Sequence, residues 1–393
     1  MYHIKPEEMF NDQPWLKSYS QRVRSIYDAK KCGLKVVMYL YEAADTSTFR
    51  YRVYNMCQSL EVSLNWRGVY FYNNELENVK QYLDDVDLLV VARFRWCFEL
   101  EEFIDLAKGK DIKVAFEIDD MVYNTKYIPI IVNTLSVGMS NQEDYNYWFA
   151  YTSRLKATAL KCDAIITTND FLAEKMHEDL NIDAYVLQNF INRQQEEISE
   201  RYYQQKAGMY YGDKFVIGYF SGTPSHINDF MVVAPEIKKL LERYEDIVLR
   251  IVGFMEMPDS MIDLEERGRI ERVPLVNFLE LQKEIAEVDV NIAPLVNNEF
   301  SNCKSELKFF EAAIVGTITC ATPSNTFKNS IQDGVTGYLC ERGKWFQTLE
   351  QLYLNRKSNS SNIIKDAKKY CIDRYAYYNQ TANIESVLNQ ISK

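Results

Sequence analysis

Histidine is nearly absent. The chain of 393 residues carries only His3, His177 and His226. None stands at the spacing of a His-x-x-x-His or His-Glu-x-x-His motif, which argues against a zinc hydrolase. The eight cysteines include no Cys-x-x-Cys pair, and several lie in apolar runs. They read as buried free thiols of a reducing compartment. No apolar run nears the ~18–20 residues of a membrane span, and residues 1–20 lack the apolar stretch of a signal peptide. A cytoplasmic location is the expectation. Basic residues are outnumbered, 45 Lys and Arg against 56 Asp and Glu, for a net charge of −11. That balance argues against a general nucleic-acid binder but not against a local basic pocket. Walker A and Gly-x-Gly-x-x-Gly loops are missing, and with them the usual support for a nucleoside triphosphatase or a dehydrogenase. No repeat and no low-complexity tract is visible.

What is present suits ordinary buried cores: 47% hydrophobic and 26% charged residues. At roughly 150 residues per domain the length suggests two or three domains. Short, nearly continuous apolar runs at 34–41, 69–73, 86–94, 112–119, 162–169 and 184–189 alternate with helical stretches such as 49–64 and 99–108. This is the pattern of parallel strands covered on both faces. A polar stretch, 193–212, interrupts the series. Strands resume at 215–220, 247–254, 270–273, 288–295, 317–321 and 337–340, with helices at 229–244, 277–287, 304–315 and 345–354, then 362–375 and 380–391. The expected fold is α/β, with two Rossmann-like, doubly wound parallel-sheet domains facing a cleft. The expected divisions are an N-terminal domain over 1–195, a connection over 196–213, a C-terminal domain over 214–375 and a final helix over 376–393 that packs back on the N-terminal domain. Ligands of such sheets bind at the carboxyl ends of strands.

Two such ends hold phosphate-friendly groups. After the strand at 215–220 comes SGTPSHIND, in which Gly222 permits φ > 0 and a close approach of the backbone to a ligand. Thr223 and neighbouring hydroxyls, with the following helix N-terminus, make an anion cradle. The plain alternative is a tight turn capped by Ser225 or Asn228. The segment 297–316 reads NNEFSNCKSELKFFEAAIVG. A helix capped by Ser301 or Asn302 would place Lys304, Lys308 and Glu311 at i, i+4 and i+7, on one face. The lysines and Ser305 suit a diphosphate, and Glu311 suits sugar hydroxyls. Glu306 falls off that face and reads as solvated. The alternative is a surface helix with an ordinary Glu–Lys pair.

In the first half, Arg50 and Arg52 fall in the first turns of a helix beginning between Thr46 and Thr48. With Arg93 they suit an acceptor phosphate or a lipid-linked diphosphate. Their alternative role is to pair with local carboxylates. Asp119 and Asp120 end a strand at the cleft side, where one of them is a candidate base for an acceptor hydroxyl or a cap for the next turn. His226 is the one histidine in a candidate loop, either a ligand contact or a structural residue. Residues 145–151, YNYWFAY, read as an acceptor platform, a membrane-facing patch or core.

The C-terminal half resembles the donor domain of GT-B glycosyltransferases of the family 4-like group. The resemblance rests on GYFSGTPSH, on LRIVG at 249–253, and on the run DVNIAPLVNNEFSNCKSELKFFEAAIVGTITCATPSNTFKNSIQDGVTGYL. The first half is similar more loosely, through FRYRV at 49–53, EIDD at 117–120 and CDAIITTNDFLAEKM at 162–176. The resemblance implies a nucleotide-diphosphate sugar in the C-terminal domain and an acceptor in the N-terminal one. Glu311 matches the ribose-binding glutamate, and Gly222 and Thr223 match the diphosphate loop. A further glutamate, eight positions upstream, is often present in the family; here that position is Cys303. Lys304 is then a phosphate contact of this subgroup. Retention of configuration is the family expectation.

The implied activity is hexosyl or deoxyhexosyl transfer to a glycan or lipid-linked acceptor, in synthesis of a surface polysaccharide or glycoconjugate. No metal and no cofactor beyond the nucleotide-sugar co-substrate is expected. Peripheral contact with the inner face of a membrane, a homo-oligomer, a nucleotide-sugar epimerase and a non-catalytic GT-B scaffold all stay open at this point.

Overall fold

The computed structural model describes residues 2–6, 11–43, 47–135, 142–209, 212–222, 227–356 and 360–393. Two six-stranded parallel sheets organise them, in the orders β2-β1-β3-β4-β5-β6 and β12-β11-β10-β7-β8-β9. The first contains β1 (Lys35–Tyr41), β2 (Trp66–Tyr72), β3 (Leu88–Ala92), β4 (Lys113–Glu117), β5 (Ala164–Thr167) and β6 (Ala184–Val186). The second contains β7 (Phe215–Ser221), β8 (Ile247–Gly253), β9 (Ile270–Val273), β10 (Val290–Ala293), β11 (Ile318–Ala321) and β12 (Tyr338–Leu339). Each lies within or beside an apolar run of the sequence.

The physical reason is two-sided burial. Along β1, Val37, Tyr39 and Tyr41 enter one apolar cluster, while Val36, Met38 and Leu40 enter another on the opposite face. Successive side chains point to opposite faces, so a strand covered on both must be apolar throughout. The first cluster continues through Tyr51 and Ala115 to Phe309, Phe310 and Ala313 of the second half. The two sheets therefore share a core beneath the cleft.

Three helices differ from expectation. The stretch 49–64 divides into a wide π-turn at Arg50–Tyr54, a helix at Asn55–Ser59 and a tight turn at Leu60–Val62. In the wide turn the Asn55 amide reaches the Arg50 carbonyl, five residues back. The stretch 229–244 divides at 232–233 into Ile227–Met231 and Ala234–Arg243. The third difference shapes the site: no continuous helix runs over 304–315. Asn298, rather than Ser301 or Asn302, caps a short turn at Glu299–Asn302, and a second helix covers Leu307–Ala313. The intervening loop is held by distant groups. Asn169 donates to the Cys303 carbonyl (2.9 Å), and Thr326 Oγ1 donates to that of Lys304 (2.6 Å). Glu306, expected in solvent, is buried in this loop and accepts from the Tyr375 hydroxyl at 2.8 Å.

The polar stretch after β6 forms a helix, Arg193–Ala207, which packs on the helix Phe278–Glu287. The last helix, Tyr377–Ile391, lies against the first half, where Ser59 bonds to the Tyr377 carbonyl and Ser63 to Glu385.

Candidate active site

A cavity of about 390 Å³ opens between the carboxyl ends of the two sheets. Others are as large: about 380 Å³ beside β2, lined by Lys17, Arg22 and Cys57, and about 460 Å³ lined by Arg193, Glu200 and Lys368. Size alone does not choose between them. The chemistry does, because the cleft gathers Lys304, Lys308 and Glu311 on one wall and Asp119 and Asp120 on the other.

The C-terminal wall begins where β7 ends, at Ser221 and Gly222. The left-handed conformation expected of Gly222 belongs instead to Gly253, with φ +93°. A Cβ at Gly253 would lie 2.0 Å from the Ser221 carbonyl oxygen, so only glycine lets β8 end this close to β7. A Cβ at Gly222 would meet nothing within 4 Å. Thr223, Ser225 and His226 lie outside the described residues, as does Thr46.

Lys308 projects from the helix Leu307–Ala313 and donates to the Phe220 carbonyl at 2.8 Å. Burial of its ammonium pushes its pKa down to about 8, and Asp229 opposes that shift. Lys304 reaches the same place from the loop, 3.1 Å from Asp229 Oδ2. Asp229 is buried and also accepts the Val296 amide at 2.9 Å. The break in the helix thus leaves both lysines at one cavity, although they do not share a helical face.

Glu311 stands at the inner end. It accepts from the Tyr51 hydroxyl at 2.5 Å and from Gln195 at 3.4 Å, with the Arg50 guanidinium at 3.8 Å. Burial raises its pKa, and Arg50, Tyr51 and Gln195 hold it down.

On the N-terminal wall, Asp119 accepts from Arg93 at 2.6 Å and from Thr48 at 3.0 Å. Asp120 lies 3.4 Å from the same guanidinium. Its pKa is raised, first by burial and then by Asp119, while Arg93 and Lys304 act against the rise. A carboxylate with raised proton affinity is a stronger base. Arg93 itself has φ +42°, a conformation costly outside glycine, and its amide donates to the Glu117 carbonyl at 2.7 Å.

The two other arginines are placed differently from expectation. Arg52 is fully buried and does not line the cavity. It pairs with Glu117 and donates to the Leu187 carbonyl (2.7 Å) and Asn189 Oδ1 (2.9 Å). The wide turn directs it inward, and these partners occupy it. Arg50 lines the cavity but is buried, its guanidinium over the rings of Tyr51 (4.0 Å) and Phe278 (4.4 Å). Arg93 holds the two aspartates rather than standing open to a ligand.

Asn189 also donates to Ser305 at 3.0 Å, so the N-terminal wall grips the loop at 303–306 directly. Tyr51, Asn189, Gln195 and Asp229 were not singled out by sequence. The last had a local signal, its place in the turn after β7. The others become neighbours of Glu311 and Ser305 only through folding.

Two facing parallel sheets with this cleft make up the GT-B fold. Residues 214–355, in the C-terminal half of the chain, match the family model described as glycosyl transferases group 1. No curated protein matches the chain in sequence. Among solved structures, a glycosyltransferase from Rickettsia africae is 13% identical with a TM-score of 0.61, covering 92% of this chain and 99% of its own. Anabaena HepE in complex with UDP and glucose is 12% identical with a TM-score of 0.57, covering 91% and 100%. Sucrose-phosphate synthase from Thermosynechococcus elongatus is 10% identical with a TM-score of 0.57, covering 91% and 99%. These likenesses establish the shared fold.

Proposed function

We propose that the chain moves a hexosyl or deoxyhexosyl group from a nucleoside-diphosphate sugar to a glycan or lipid-linked hydroxyl, without a metal ion, in surface glycoconjugate synthesis at the cytoplasmic side. The family match supports the transfer, and the UDP and glucose bound to HepE support the donor class. One observation carries the reading: Lys304, Lys308 and Glu311 face Asp119 and Asp120 across a single cavity.

In this reading the diphosphate replaces Asp229 and the Phe220 carbonyl as partner of the two ammonium groups. Their charge then stabilises the departing nucleoside diphosphate. Glu311 accepts from the ribose hydroxyls. Asp120, with its raised proton affinity, takes the acceptor proton or orients the acceptor hydroxyl. Cys303 stands where the family often carries a glutamate; it is buried, and that burial pushes its thiol well above the usual range, in a site too dry for a thiolate. Retention of configuration is kept as the family's expectation.

Calorimetry with UDP-, GDP- and dTDP-sugars tests the donor site. The best binder should lose at least tenfold in affinity with Lys308→Met, whereas Asp120→Asn should bind it normally and fail in transfer. Absence of any nucleotide binding would leave a scaffold, and epimer formation without acceptor would establish an epimerase.

A further inference from the structure

Outside the cleft, the first half bears an aromatic surface whose inner rings, Trp148 and Tyr151, pack against the core while its outer rings are exposed. The helix Gln142–Ala159 exposes Tyr145, Tyr147 and Phe149, and Phe98 is 76% exposed at the start of its helix. These rings are organised. Tyr147 stacks on Tyr151 with centroids 5.9 Å apart and planes at 24°, and Trp148 meets both edge-on at 5.8 Å. Trp96 lies 5.0 Å from Phe98. The two groups join where the Arg95 guanidinium sits 5.6 Å over the Tyr151 ring and the Trp96 amide donates to the Arg154 carbonyl. One guanidinium ties the row to the cleft wall: Arg93 Nε donates to the Tyr151 hydroxyl at 3.1 Å, and the same guanidinium holds Asp119, which lines the cavity.

We propose that this row is a subsite for a neutral sugar chain, so that the acceptor is an oligosaccharide held several residues away from its reacting hydroxyl. The inference rests on the glycosyl-transfer reading and deepens it. A pyranose ring offers a C–H face that packs on an aromatic plane, with hydroxyls at its rim. The surface matches both parts, because Tyr147 pairs an exposed ring with a hydroxyl at the row's outer edge. An aromatic surface of this kind, one guanidinium away from a cleft wall, marks a binding site rather than scattered exposure.

Charge separates this occupant from a bilayer. The first turn of the exposed helix carries Glu143 and Asp144, and Glu99 is exposed beside Phe98, in a chain of net charge −11. An anionic leaflet is drawn to basic segments and repelled here, whereas a neutral glycan is indifferent to these carboxylates.

The test compares the full chain with Phe98→Ala/Tyr147→Ala, two exposed positions. It uses a printed panel of neutral oligosaccharides, sedimentation with phosphatidylcholine–phosphatidylglycerol vesicles, and calorimetry with UDP, GDP and dTDP. The expected result is oligosaccharide retention that the double variant lowers at least tenfold, with nucleotide binding unchanged. Retention of no oligosaccharide, equal retention by both proteins, or vesicle binding lost in the variant overturns the proposal. Nucleotide binding without oligosaccharide binding defeats the subsite alone. Loss of both in the wild type defeats the glycosyl-transfer reading as well.

Discussion

The hydroxyl of Tyr51, from the first half of the chain, bonds at 2.5 Å to the carboxylate of Glu311, from the second. This bond joins the two walls of the cleft at the group assigned to the donor ribose. Together with Arg50 and Gln195 it offsets the rise in Glu311 pKa that burial causes. Tyr51→Phe keeps the ring and removes that support. Nucleotide affinity should fall about tenfold, equivalent to about 1.4 kcal/mol, and the acid limb of its pH profile should move to higher pH. Calorimetry across pH checks both; an unchanged profile would separate Tyr51 from the donor site.

Lys308 should make donor binding depend on alkaline pH. Its free-state pKa is pushed down to about 8, and a bound diphosphate raises it. Between those two values binding takes up a proton, so affinity falls as pH increases, by at most about tenfold per unit. Titrations in buffers of different ionisation heat detect the proton directly. Lys308→Met should be weak and flat with pH. A flat wild-type profile from about pH 7 to 10 would exclude this lysine as the phosphate ligand.

Arg52 should matter to stability. It is paired with Glu117 in a fully buried site, where burial pushes the Glu117 carboxyl up to about 7. Removing one partner of such a pair costs about 3–5 kcal/mol, whereas replacing both by apolar groups often does not. Denaturant unfolding should show Arg52→Met strongly destabilised and Arg52→Met/Glu117→Met partly restored. An arginine serving only the acceptor would leave unfolding unchanged.

Lys206 gives a stability prediction of opposite sign to the usual paired lysine. Its ammonium is buried, donating to the Val288 carbonyl at 2.8 Å and Thr317 at 2.7 Å, and burial pushes it down to about 7. The unfolded value is about 10.4. Between the two, the unfolded chain binds more protons, so this residue makes stability rise with pH across that window. Below it both states are protonated and the burial penalty is complete. Lys206→Met should remove the slope; identical pH dependence of the unfolding midpoints in the two proteins would refute it.

The strands were legible because each must satisfy a strong local rule. Six of seven β1 residues are buried, and a parallel strand covered on both faces leaves no place for alternation. The helix expected over 345–354 forms at Trp345–Leu354, with Trp345, Leu349, Leu352 and Tyr353 buried. The break at 303–306 was not legible, because its local sequence reads as helix and its bonds come from Asn169 and Thr326. Arg52 and Glu306 misled for a related reason: each looks like an ordinary charged side chain until Glu117 or Tyr375 is brought beside it.

Composition and apolar spacing therefore suffice for two parallel sheets and for a lysine- and glutamate-bearing segment after β10. Both follow from interactions within a few residues, where pleat and helical period decide which side is apolar. The roles of individual charges were settled by folding. Burial and pairing depend on groups far away in the chain, as when Tyr51 meets Glu311 or Arg52 meets Glu117. Desolvation and Coulomb energies are set by that neighbourhood, which no local stretch of sequence contains.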